Sequence, residues 1–230
     1  MIKAILFDFG GTLDNNGIDW FTRLQRLINK TGDPVTREGL DVHAGRAADL
    51  IDNLPDTRTL TMAGLAHRLV QHTYDDIKET NTVAPQWNPQ KIADAFVAES
   101  SENVRRNAAT LHKLSKRFRL GCISNNWGNT AGWCREFDLD ELFEVMIDST
   151  LVAAAKPDPR IFHAALNEMD LPPEACAYVG DRFDCDVKGA HAVGMNPIWI
   201  TNSYYFGETD NTVDPHRIKD LSDLLTAEYL

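Results

Sequence analysis

The sequence predicts a doubly wound α/β fold, a parallel sheet with helices packed on it, interrupted after its first strand by a helical insertion. Three observations predict this. Four short apolar runs, AILF (4–7), RLGCIS (119–124), CAYVG (176–180) and PIWI (197–200), have the continuous apolar character of strands buried on both faces, and each ends in polar residues. Helical patterns separate the later runs, and strands alternating with helices join by right-handed crossovers. The interval 15–104 contains no comparable run.

The first run leads directly into Asp8 and then Gly10-Gly11. Beyond it, the turn signals TGDP (31–34), NLPDT (53–57) and APQWNP (84–89) divide several amphipathic helical patterns, with Thr36 and Asn88, the latter followed by Pro89, as helix starts. A helical module between the first two strands reads as an insertion seated over the strand ends. The expected organisation is a core of residues 1–14 and 105–230 and a helical cap of residues 15–104. In the second half, DPRIFHAALNEM reads as a helix with Asp158 as N-cap and Pro159 in its first turn, and DVKGAHAVGM as another.

A chain of 230 residues is long enough for one domain with a sizeable insertion. Its 23 basic and 34 acidic residues give a net charge of -11, which excludes a general nucleic-acid or anionic-membrane surface, so an anionic substrate needs a local constellation to hold it. No apolar run approaches the roughly 20 residues of a membrane span, and the N-terminus lacks a secretory cleavage pattern. A cytoplasmic location is expected. Cys122, Cys134, Cys176 and Cys185 form no C-x-x-C pair, so reduced, buried thiols are expected rather than a zinc site or disulfides.

Ligands of open α/β sheets collect beyond the carboxyl ends of the strands. The residues there are Asp8 after the first strand, Ser124 and Asn125 after the second, and Asp181, Asp184 and Asp186 after the third, with Lys156 in the loop AAAKPDPRIF. Several carboxylates gathered at one sheet end suit a hard cation with oxygen ligands, and magnesium fits best. A hydroxyl, an amide and a lysine beside it supply donors for a phosphate's oxygens. Asp8 could then attack phosphorus and form an aspartyl-phosphate.

In order and spacing, FDFGGTL, ISNN, KPDPRIF and VGDRFDCDVKGA resemble the four motifs of the haloacid dehalogenase superfamily, most of whose members are Mg²⁺-dependent phosphohydrolases with a Rossmann-like core. The insertion resembles the family's type I cap, and the gap between the second and third motifs is too short for another kind. The resemblance implies that Asp8 is nucleophile and metal ligand, that Asp181 binds the metal, and that Ser124 bonds the transferring phosphoryl group with Asn125 and Gly11 beside it. It implies that Lys156 neutralises nucleophile and phosphate, and that Asp186 ligates metal through water or orients Lys156.

Gly10 departs from the pattern. Family phosphatases usually carry there an aspartate that protonates the leaving oxygen and activates water; its carbonyl also binds the metal, and a glycine keeps that carbonyl. The expected activity is hydrolysis of a small phosphorylated metabolite, weakened by the missing acid. A phosphotransferase, or a non-catalytic phosphate-ligand or partner-binding protein, stays open as an alternative. Asp14 is the nearest carboxylate that could replace the acid, although a turn cap is its ordinary role. Asp184 reads as a helix cap and Trp127 as a packing residue or a cover for the site. His43, Arg46, His67, Arg68 and His72 in the insertion read as surface residues or substrate contacts. The sequence carries no signal for oligomeric state.

Overall fold

The computed structural model describes residues 1–80, 84–202 and 212–230. Its helices, among these residues, are α1 (Trp20–Asn29), α2 (Arg37–Asp52), α3 (Met62–Thr80), α4 (Pro89–Leu114), α5 (Thr130–Glu136), α6 (Ser149–Val152), α7 (Pro159–Met169) and α8 (Lys188–Ala192). The strands are β1 (Ala4–Phe7), β2 (Arg119–Ser124), β3 (Val145–Asp148), β4 (Cys176–Gly180), β5 (Asn196–Ile200) and β6 (His216–Ile218). They form one sheet in the order β3-β2-β1-β4-β5-β6 with every neighbouring pair parallel and helices on both sides.

Contacts divide the described chain into two compact units, Met1–Asp19 with Ser101–Leu230, and Trp20–Ser100. In the first, β1 is wholly buried at the centre of the sheet. Leu6, Ile123, Ile147 and Tyr178 face Ile161, Phe162, Leu166 and Met169 of α7, each such burial contributing about 1.5–3 kcal/mol. α7 starts as its sequence predicts, with Asp158 accepting from the Arg160 N–H and Pro159 in the first turn. Phe9 packs edge-on against Trp133 of α5, with ring centroids 5.4 Å apart.

β1 lies between β2 and β4, so the chain leaves its carboxyl end where the strand order reverses. The parallel register pairs Phe7 with Cys122 and with Val179, and the Asp8 N–H donates to the Val179 carbonyl at 2.9 Å. Asp8 therefore emerges beside Ser124 on one side and Asp181 on the other.

Two strands exceed the four expected. β3 reads VMID inside ELFEVMIDSTL, where no glycine or proline marks a strand end and the apolar spacing suits a helix equally well. β6 is an edge strand of three residues, two of them exposed, and has no apolar run to reveal it. The helix expected over 186–195 is shorter: a wide helical turn, Phe183–Val187, precedes α8.

The second unit holds helices and no strand among its described residues. Leu24, Ile28, Leu40, Ala44, Val70 and Phe96 form its core. Thr36 caps α2 by accepting from the Gly39 N–H at 3.1 Å, and Asn88 caps α4 by accepting from the Lys91 N–H at 3.0 Å. Arg23 is fully buried, its guanidinium 3.6 Å from the Phe96 ring centroid. No helix of the described residues is long and apolar enough to cross a membrane, and all four cysteines are free and buried.

Candidate active site

After Asp8 the chain makes an irregular turn over Phe9–Leu13, non-helical at Gly10 and Gly11, and these two glycines are not equivalent. Gly11 has φ +86°, and a Cβ there would lie 2.4 Å from Asp181 Oδ2, so backbone and space both demand glycine. Gly10 has φ -75° and ψ 120°, which any residue adopts. We expect Gly11→Ala to lower stability by about 1–3 kcal/mol from strain alone and to weaken divalent-cation binding by displacing the Asp181 carboxylate. Denaturant melts and a metal titration check this; an unchanged midpoint and metal affinity would contradict it. The loop beyond is pinned from three directions. Gly17 N–H donates to the Gly11 carbonyl at 2.7 Å, Asn107 Nδ2 to the Leu13 carbonyl at 2.8 Å, and Asn16 Nδ2 to Asp220 at 2.6 Å.

Asp8, Asp181 and Asp186 each place a carboxylate oxygen within 4.8 Å of the others, and all three are buried. Lys156, itself buried, sits among them with Nζ 2.7 Å from Asp8 Oδ1 and 2.7 Å from Asp186 Oδ1. Three carboxylates against one ammonium leave two negative charges uncompensated, which one divalent cation balances. The donor set is all oxygen, as a hard cation requires. Asp186 is the carboxylate most engaged by protein: Oδ2 accepts from the Arg182 N–H at 2.9 Å, while Oδ1 pairs with Lys156. Asp181 is braced by the Thr12 hydroxyl at 3.2 Å on Oδ1, and the Trp199 indole N–H holds its carbonyl at 2.8 Å.

The titration behaviour reflects this imbalance. Burial pushes the Asp8 carboxyl up to about 6, with Lys156 opposing and Asp186 adding to the rise. Asp181 is pushed well above the usual carboxylate range, first by burial and then by Asp8, Asp186 and Asp19. Burial acts to lower Lys156, but Asp186 and Asp8 outweigh it and hold the ammonium firmly charged. One cation thus gains from every neighbour, whereas the carboxylates still repel one another.

Ser124 is buried at the end of β2, and its hydroxyl has no hydrogen-bond partner among the described residues. Asn125 is occupied: its Oδ1 accepts from the Lys156 N–H at 2.7 Å and its Nδ2 donates to the Lys156 carbonyl at 3.0 Å, clamping the lysine's backbone. The Gly11 N–H is likewise engaged, donating to Asp14 Oδ1 at 2.6 Å. Asp14, fully buried, closes its own turn.

Two residues that the sequence does not mark hold this constellation. Asp148, at the end of β3 beside Ser124, accepts from the N–H groups of Gly128, Thr130 and Thr150 and from the Thr130 hydroxyl, fixing the loop after β2. Tyr178 in β4 places its hydroxyl 2.9 Å from Lys156 Nζ. The period-2 alternation of β4, two residues from Gly180, is the signal that could have marked it.

Other candidates lie elsewhere. Asp184 is exposed and forks with Arg182 at 2.6 Å; it makes no helix-capping bond, because a wide turn stands where a helix start was expected. Trp127 is half-buried in the loop after β2. His43 and Arg46 both pair with Asp76. His67, Arg68 and His72 line a groove of about 620 Å³ within the helical unit, where Asp94 pairs with His67 and Asp56 with Arg68.

A family model described as haloacid dehalogenase-like hydrolase matches residues 2–194, which hold four of the six strands and every residue of the carboxylate cluster. The chain belongs to that family. A glyceraldehyde 3-phosphate phosphatase of Methanothermobacter thermautotrophicus is 34% identical over 97% of this chain and 98% of its own length. The haloacid dehalogenase-like hydrolase domain-containing protein 3 of Bos taurus is 32% identical over 70% of this chain and 66% of its own length. Against the mouse counterpart the match spans only 48% of that relative's length. The 2-haloacid dehalogenase of Pseudomonas syringae pv. tomato DC3000 shares the fold, with a TM-score of 0.54 at 23% identity over 98% of this chain and 97% of that one. The matched span includes Asp8, Ser124, Lys156 and Asp181.

Proposed function

We propose that this chain is a Mg²⁺-dependent phosphohydrolase that cleaves a small phosphate monoester through an aspartyl-phosphate on Asp8. The observation that carries this reading is the buried cluster of Asp8, Asp181 and Asp186 with a single compensating Lys156. Two uncompensated charges and oxygen donors favour metal-assisted chemistry over dehalogenation, which requires no second carboxylate to hold a cation. The phosphatase relative matched over its full length supports a small phosphorylated metabolite as the substrate class.

In this reading Asp8 and Asp181, with the Gly10 carbonyl and Asp186 completing the set, would hold Mg²⁺. The ion would supply positive charge opposite the phosphate's oxygens. Asp8 attacks phosphorus while Lys156 offsets its charge. The open hydroxyl of Ser124 donates to a phosphoryl oxygen. The P–O bond to the alcohol breaks with its electron pair leaving on oxygen, and water then attacks the phosphorus of phospho-Asp8 to release inorganic phosphate. Neither proton transfer is helped from position 10. We assign the choice of substrate to the helical unit acting as cap, because the cluster in the sheet unit contains nothing that reads beyond the phosphate.

The test is a panel of phosphate esters incubated with Mg²⁺ and with EDTA, tracking released phosphate and phosphoryl label on the protein. We expect Mg²⁺-dependent release that EDTA abolishes. Label without release marks a phosphotransferase, and neither marks a binding protein; both outcomes contradict hydrolysis.

Metal binding should also carry a pH signature. Unfolded, the Asp8 carboxyl titrates near 3.8; folded and metal-free, near 6. Between those values the folded protein retains a proton that the unfolded chain has lost. This contribution to stability is therefore full below about 3.8 and is lost as pH rises through about 6. The Mg²⁺-induced rise in Tm should accordingly be near zero at pH 4 and grow towards pH 7, with proton release on binding below about pH 6. A shift independent of pH would place the metal elsewhere.

A further inference from the structure

We propose that Asn16 and Asp220 are positioning residues that hold the turn against which the Asp181 carboxylate rests, so that the C-terminal segment helps to set the affinity of the cation site. The turn runs from Gly11 to Gly17. Asp181 meets it twice: a Cβ at Gly11 would lie 2.4 Å from its Oδ2, and the Thr12 hydroxyl donates to its Oδ1 at 3.2 Å. Gly11 and Thr12 are held in turn by the far end of the loop, where the Gly17 N–H donates to the Gly11 carbonyl at 2.7 Å and the Asn16 N–H to the Thr12 carbonyl at 3.2 Å. A shift of Asn16 is therefore passed to Asp181.

Asn16 needs outside support to keep its place. Its φ of +41° lies in the left-handed region, which asparagine tolerates better than most residues but still at a cost. Three side chains fix it there. Asn202 Nδ2 donates to its carbonyl at 2.6 Å, Asn107 Nδ2 donates to its Oδ1 at 2.9 Å, and its own Nδ2 donates to Asp220 Oδ2 at 2.6 Å. The sense of this chain is forced at both ends, because the Leu13 carbonyl, which takes Asn107 Nδ2 at 2.8 Å, and the Asp220 carboxylate can only accept. Asp220 is anchored separately: its Oδ1 accepts from the Ser222 N–H at 2.9 Å and the Ser222 hydroxyl at 2.6 Å, capping the turn Leu221–Thr226. It lies beyond residue 194, where the family match ends.

The inference rests on the reading of the carboxylate cluster as a Mg²⁺ site, but its test reads binding and amide exchange and needs no turnover. Asn16→Asp removes the donor that faces Asp220 and, at about pH 8, sets two ionised carboxylates against each other. Calorimetry should show Mg²⁺ binding about tenfold more weakly, the lower end of what losing a support around metal ligands costs. An added negative charge by itself would tighten a cation, so this loss has the sign of a displaced turn. Adding Asp220→Asn reverses the pair: the carboxylate at position 16 accepts from Asn107 and from the amide at position 220, whose oxygen still accepts from Ser222. Mg²⁺ affinity should then return to within about threefold of wild type. Asp223→Ala is the control, since it breaks the capping box of the same turn without touching the bond to Asn16; it should lower Tm and leave Mg²⁺ affinity unchanged.

No loss in Asn16→Asp, no recovery in the paired variant, or an equal loss in Asp223→Ala overturns the proposal. Should Asn16→Asp not fold, Asp220→Ala removes the acceptor alone and must also weaken Mg²⁺; unchanged affinity overturns it. Wild type that binds no Mg²⁺ refutes the metal reading, and exchange of the Gly17 amide then decides the role of the pair. Faster exchange in Asn16→Asp, with protection regained in the paired variant, upholds the hold on the turn; unchanged exchange overturns it.

Discussion

Asp8→Asn is expected to lower turnover of any phosphate ester by at least about 10³-fold with the fold retained. The amide matches the carboxylate in size, and the Asp8 N–H bond to Val179 is a backbone bond that the change leaves alone. What it removes is chemical. An amide oxygen is a poor nucleophile towards phosphorus, and the charge that faces Lys156 and the cation disappears. Stability should change little or even rise in the absence of metal, because burial already disfavours the ionised carboxyl. Steady-state rates and a thermal melt on the same preparation check both halves. A variant with a tenth of wild-type activity would exclude Asp8 as nucleophile.

Gly10→Asp should have the second largest effect, and in the opposite direction. Without a proton donor the leaving oxygen departs as an anion, so its own pKa controls the first step, and wild type should favour aryl and acyl phosphates steeply over alkyl ones. A carboxyl at position 10 should accelerate alkyl esters by up to about 10²–10⁴ and flatten the leaving-group dependence. The backbone there accepts a side chain without strain, unlike Gly11 one residue later. Asp14 lies fully buried and closes its own turn onto the Gly11 N–H. A flat leaving-group dependence in wild type, with no gain from the substitution, would show that another side chain supplies the proton.

The strand-end positions of Asp8, Ser124 and Asp181 are legible in the sequence because a parallel sheet's strands are continuous apolar runs that stop abruptly, and the residues just past each stop lie at one edge. Lys156 is legible only through the motif around it, since it sits in a loop with no periodicity to place it. The strand β3 escapes because VMID fits helix and strand alike, and with it goes Asp148, whose four accepted bonds shape the loop beside Ser124. Tyr178 is hidden inside the apolar run CAYVG, where an aromatic reads as core until the strand's pairing shows what its hydroxyl meets. Asn125 is readable as a polar residue at the site. That both ends of its amide hold the Lys156 backbone depends on a contact 31 residues away, which no local pattern encodes.

The covalent intermediate on Asp8 is tested most directly by quenching the protein in acid seconds after mixing it with Mg²⁺ and an aryl phosphate, then locating any phosphoryl group by mass spectrometry of its peptides. The account predicts one phosphoryl group on the peptide that holds Asp8, accumulating in wild type because position 10 cannot activate water, and absent from Asp8→Asn. Phosphate released with no phosphoryl group on Asp8 at any time, or the group found on another residue, would contradict it.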